Sequence, residues 1–141
     1  VIPVDKKTLN QYRALQREIP KLKKDIERLE ERLSKVPTVA GKVAKSSNDF
    51  PYILEHVKVQ IEEPKLATEI KKQIRYKELR LNKAEREKTA IEQFIAGIED
   101  STVRQIFEMV YIDGRRQNDV ADEIGYSKGR VSQLIAKTIK D

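Results

Sequence analysis

From Tyr12 the apolar residues recur in steps of three and four: Tyr12, Leu15, Ile19, Leu22, Ile26, Leu29, Leu33 and Val36. This spacing puts them on one stripe of a helix and predicts a heptad seam more than three repeats long. Asp5 and Thr8 offer an N-cap ahead of it. Pro20 falls inside the seam, removing a backbone donor and crowding the preceding turn, so a kink or a fresh helix start is expected there. The helix should end near Ser34 to Val36, before Pro37.

Residues 37–51 are rich in Gly, Ser, Asn and Pro and predict a connector. Val57, Val59 and Ile61 then alternate with Lys58 and Gln60, the period of a short strand, which would need a partner near Val39 to Val43 or on a second copy of the chain. Pro64 closes that strand and opens a second long helix. Ala67, Ile70, Ile74, Leu81, Ala84, Ile91, Ile95 and Ile98 resume the heptad steps, with Lys77 and Lys88 at two seam positions where a polar group restricts register. Two antiparallel helices joined by residues 37–63 are the simplest arrangement.

The pattern loosens at Gly97 to Asp100, and Asp100 or Ser101 is placed to cap a helix running through Ile112. Asp113-Gly114 is a stop. Gln117 to Ile124 and Ser127 to Lys140 follow, separated by Gly125-Tyr126. The expected fold is therefore all-α. A long helical, coiled-coil hairpin with a small β or extended excursion occupies residues 1–98, and a three-helix domain occupies 99–141.

The last two helices meet the demands of a helix-turn-helix. Ala121 is small where the second helix crosses close above the first, and Gly125 accepts the left-handed backbone that ends the first helix. Val120, Ile124, Val131 and Leu134 supply the apolar contact between them. Ser127 caps the second helix and leaves Lys128, Gly129, Arg130, Ser132 and Gln133 outward. Arg pairs bidentately with guanine, Gln with adenine, and Lys reaches phosphate. An ordinary helical hairpin with Gly in its turn is the plainer reading, but packing alone does not call for a basic second helix.

Charge sharpens this picture. The 141 residues carry 29 Lys+Arg and 23 Asp+Glu, a net charge of +6. Residues 1–98 hold 22 basic and 15 acidic groups, and residues 99–141 hold 7 and 8. The C-terminal balance hides a separation of sign. Ser127 to Lys140 contains Lys128, Arg130, Lys137 and Lys140 with no acid, while Asp113, Asp119, Asp122 and Glu123 lie just before. Phosphate binding needs one positive face, not a positive average.

The run from Thr102 to Gly114, followed by Gln117-Asn-Asp-Val-Ala-Asp-Glu-Ile-Gly-Tyr-Ser-Lys-Gly-Arg-Val-Ser-Gln-Leu, resembles the promoter-reading fourth region of bacterial sigma factors. The whole layout is similar to sigma-region-4-like regulators of phages and prophages of Gram-positive bacteria, including late-gene activators. The resemblance implies Lys128, Gly129, Arg130, Ser132 and Gln133 on the reading face, with Arg115, Arg116 and Gln117 near backbone phosphate. Ser127 and Lys137 complete the candidate DNA-binding set. Residues 1–98 show no polymerase-core-binding or DNA-melting domain, so a self-sufficient sigma factor is not expected.

Chemistry of other kinds finds little support. There is no Cys, and His56 is the one His, which excludes a thiolate site, a Cys nucleophile and a multi-histidine metal site. His56 beside a strand reads as partly buried. Glu62 and Glu63, adjacent on an extended chain, would point to opposite faces and make a poor acid/base pair. Phe94, Phe107, Tyr111 and Tyr126 read as core. Lys42 and Lys45 are secondary phosphate-contact candidates. No catalytic residue, metal or cofactor is expected.

The expectation is a transcriptional regulator, soluble in the bacterial cytoplasm, that binds double-stranded DNA as a homo-oligomer, dimer or tetramer. RNA polymerase is a second candidate partner, and no membrane is expected. Two alternatives remain open: a phage small terminase subunit recognising packaging DNA, and an adaptor that binds RNA polymerase through a sigma-like domain.

Overall fold

The computed structural model describes residues 3–37 and 50–140, with side chains over 3–37 and 65–139. All regular structure among these residues is helical. In chain order the helices are α1 (Lys6–Asn10), α2 (Tyr12–Lys35), α3 (Phe50–Ala96), α4 (Ser101–Phe107), α5 (Gln117–Ile124) and α6 (Lys128–Lys140). A five-residue π-helical turn, Glu108–Ile112, continues α4.

Three expectations are corrected. The segment expected to be a strand, residues 57–61, is helical and lies within α3, which begins at Phe50 instead of after Pro64. Phe50, Leu54, Val57 and Ile61 are spaced by four, three and four, so a helical period underlies the five-residue alternation. Pro51 lies in the first turn of this helix, where its missing N–H has no partner to lose. Pro20 does not begin a new helix: α2 runs through it from Tyr12 to Lys35. The break comes earlier, at Gln11, between α1 and α2. A helix flanked by buried Ile19 and Leu22 tolerates the loss of one backbone hydrogen bond. Third, Glu62 and Glu63 belong to helix, so their placement on opposite faces of an extended chain does not apply. The side chains of His56, Glu62 and Glu63, and the whole of Lys42 and Lys45, lie outside the described residues.

The chain forms two compact units, Val1–Pro20 with Asn82–Asp141, and Lys21–Leu81. In the second, Leu22, Ile26, Leu29 and Ile70 are buried, and Leu33, Val36, Ala67, Ile74 and Leu81 are half-buried. Lys77, one of the two seam lysines, is half-buried and bonds Asp25 Oδ2 at 3.0 Å; Lys21 bonds the same oxygen at 2.8 Å. The hydrogen bond from Lys21 first, then that from Lys77, holds the Asp25 carboxyl below the usual carboxylate range.

In the first unit, Asp5 caps α1 by accepting from the Thr8 N–H at 2.8 Å. Leu9, fully buried, follows one turn later. Tyr12, Leu15 and Ile19 are buried in this unit, as are Ala84, Ile91 and Ile95 from α3. Asp100 caps α4 by accepting from the Val103 N–H at 3.0 Å, and Arg104 donates to the Ile98 carbonyl at 2.7 Å. Phe107 stacks obliquely on Phe94 and Tyr111, with ring centroids 6.1 and 5.5 Å away. Burial raises the Tyr111 phenol above its ordinary range. The seam residues Tyr12 to Leu29 are thus buried by the chain itself.

Candidate nucleic-acid interface

The α5–α6 pair is built around one left-handed residue. Gly125 adopts φ 85°, a conformation that costs any residue with a Cβ, and the chain reverses there. The N–H groups of Gly125 and Tyr126 both donate to the Ala121 carbonyl, at 2.8 and 2.9 Å, satisfying the end of α5. Ser127 begins the next helix: its Oγ accepts from the Arg130 N–H at 3.1 Å. Val120 and Val131 are fully buried, and Ala121 and Ile135 nearly so. Ile124 and Leu134, expected to share this contact, are half-buried. Ile135, not expected there, takes the inner position because it lies four residues after Val131 on the same face of α6.

Burying Val131 and Ile135 leaves the remaining candidates outside. Ser127, Lys128, Gly129, Arg130, Ser132, Gln133 and Lys137 are all exposed, and Gln117 is half-buried at the start of α5. Among the described residues no acid lies on α6. The acids of α5 are partly occupied: Glu123 accepts from Arg115 at 3.0 Å and Asp119 pairs with Arg116 at 3.4 Å. Arg115 also donates to the Met109 sulfur at 3.3 Å, and its N–H to the Met109 carbonyl at 2.9 Å. Arg115 is therefore anchored to the preceding helix and to α5, whereas the Arg116 side chain is 86% exposed. Tyr126, read from sequence as core, is 40% exposed in the turn. The sharp reversal at Gly125 carries it past the apolar contact that Val120 and Val131 fill.

Sequence reasoning missed the neighbourhood of α1. Lys6 lines a cavity of about 310 Å³ together with Gln117, Ser132, Ile135, Ala136 and Ile139. No local pattern reveals this, because Lys6 is more than a hundred residues from the others. A second tie reaches the loop before α5: Arg13 of α2 donates to the Asp113 carbonyl. Beside it Gly114 has φ 73°, and a Cβ at that position would fall on the Arg13 guanidinium.

Among the described residues no group of acids or histidines is arranged to hold a metal ion, and no helix is long and apolar enough to cross a membrane.

An exposed basic helix packed through Val131 and Ile135 near Val120 and Ala121 of a partner that ends in a left-handed glycine is the arrangement of a helix-turn-helix. Residues 100–141 match the family model for sigma-70, region 4, a non-enzymatic DNA-binding domain of this type. No curated protein and no solved structure matches the chain.

Proposed function

We propose that this chain is a sequence-specific regulator of transcription that reads double-stranded DNA with α6. The observation that carries the reading is the division of that helix. Val131 and Ile135 are held inside, and Lys128, Arg130, Ser132, Gln133 and Lys137 face out with no acid among them. Arg130 and Gln133 are assigned to base edges in the major groove. Ser127, Lys128, Gly129, Ser132 and Lys137 complete the face, and Arg116 and Gln117 lie toward backbone phosphate at the start of α5. Arg115 joins them from its anchored position. The layout supports a phage or prophage regulator, with a bacterial cytoplasmic setting and RNA polymerase as a further partner.

A homo-oligomer belongs to the same reading, since one short reader gains affinity when a second is joined to it. Because Tyr12 to Leu29 are buried within one chain, copies would have to meet through another face. Particle mass in solution tests that point.

DNA selection from a random pool, followed by binding of Arg130→Ala to the selected duplex, tests the function. The substitution should cost about 1–3 kcal/mol on the selected site and relax its base preference. Equal loss on random DNA would reduce Arg130 to a phosphate contact. Failure of the intact chain to bind any duplex would overturn the reading.

A further inference from the structure

We infer that Lys6, on the first helix of the chain, is a DNA backbone contact that extends the reading surface beyond the helix-turn-helix. The inference rests on the DNA-binding reading above. Lys6 shares its cavity with Gln117 and Ser132, the two polar residues that join the start of α5 to the outward face of α6. In a helix-turn-helix docked on a duplex, the second helix enters the major groove while the first helix crosses the backbone. A strand of phosphates passing Gln117 therefore passes the mouth of this cavity.

The chemistry of Lys6 suits that place. It is exposed, and its side chain makes no hydrogen bond or ion pair among the described residues. Arg115 and Arg116, the nearest basic residues in sequence to Gln117, are each paired with an acid of α5. Ile135, Ala136 and Ile139 give the cavity an apolar wall suited to a lysine's methylene stem, with the ammonium group left at the rim. The helix that carries Lys6 is fixed on both sides. Asp5 caps it through Thr8, and Leu9 is fully buried in the same compact unit as α5 and α6. A lysine held this way loses less freedom on meeting a phosphate than one on a loose arm. It contributes affinity and register without base preference, because phosphate carries no sequence information.

The test measures binding of the full-length chain to a duplex that it selects from a random pool, across a salt series. Lys6→Ala should weaken binding about five- to tenfold near 0.1 M salt and lower the log–log salt slope by about 0.9, the share of one phosphate. Its base preference should stay that of the parent. Lys6→Arg should restore the slope. Lys7→Ala, about 100° further round α1, should leave it unchanged. An unaltered slope in Lys6→Ala, or equal losses in Lys6→Ala and Lys7→Ala, overturns the assignment. Arg130→Ala on the same duplex separates the two readings. If it relaxes base preference while Lys6→Ala has no effect, the DNA-binding function stands and the Lys6 contact falls. If the parent chain binds no duplex, both fall. Lys6→Met, which keeps the stem and removes the charge, should repeat the Lys6→Ala slope; recovery to the parent slope would also overturn a charge-based contact.

Discussion

The Tyr12 hydroxyl donates a 2.5 Å hydrogen bond to Oε2 of Glu92, joining the first turn of α2 to the last turns of α3 across 80 positions of sequence. Burial, and then the bond to Glu92, push the Tyr12 phenol up to about 12. The neutral phenol is thus favoured by the fold over the phenolate. Its contribution is complete below about pH 10, the unfolded value, and is lost as pH rises through the folded value. Denaturant unfolding of the parent and Tyr12→Phe should show a stability difference that shrinks steadily from pH 10 upward. A difference independent of pH would show that the hydroxyl is not held neutral.

Asp25 behaves in the opposite sense. Its carboxylate is stabilised by Lys21 and Lys77, so its folded value is depressed. The associated stability is present above the ordinary carboxylate value and is lost as pH falls through the lower, folded one. Asp25→Asn should therefore flatten the acid limb of the stability profile relative to the parent and leave its shape above pH 6 unchanged. Lys77→Met should remove part of the same limb.

Gly114 and Gly125 share a left-handed backbone but differ in surroundings. At Gly125 nothing lies within 4 Å of an added Cβ, so Gly125→Ala should cost only the backbone penalty, about 1–2 kcal/mol. At Gly114 the added carbon meets Arg13, whose guanidinium is bonded to the Asp113 carbonyl. Gly114→Ala should cost more, by about 1 kcal/mol, the worth of that hydrogen bond. In an Arg13→Ala background the excess should vanish. Thermal or urea unfolding of the four variants reads this directly.

The reader should be a poor independent domain. Leu9, Tyr12, Ile91 and Ile95 are buried in the same unit as Phe107 and Val131. A fragment of residues 99–141 loses those partners and retains too little core for cooperative folding. Circular dichroism should show a broad, low thermal transition, with binding to the selected duplex much weaker than the full chain's. Cooperative melting close to that of the intact protein would refute this.

Much of the helix-turn-helix was legible because each position answers a local demand. Gly125 announces the reversal, Ala121 the close crossing, and Val120 and Val131 the shared interior. Asp5 and Asp100 were likewise readable as caps, since capping involves neighbours three residues away. The seam from Tyr12 to Leu29 was readable as a stripe, but its partner was not. A heptad repeat specifies an apolar face and is silent on whether a second copy or the same chain covers it. The strand expected at Val57 to Ile61 failed because three alternating β-branched residues fit a helix equally well once Phe50 and Leu54 are included. Lys6 was beyond sequence reasoning altogether, for its position depends on folding that brings the start of the chain to α6.

The division into compact units also sets an order of assembly. Lys21–Leu81 is contiguous and is synthesised before any of α4, α5 or α6. The other unit combines Val1–Pro20 with Asn82–Asp141, so its earlier segment has no partner within the unit until residues after Leu81 leave the ribosome, among them Glu92, which bonds Tyr12. Leu9 and Tyr12 wait, uncovered, through the translation of the entire intervening segment. A nascent chain halted at Leu81 would hold its middle unit alone, and the α5–α6 pair would be complete only once Lys140 had been added, some seconds later at about 5–20 residues per second.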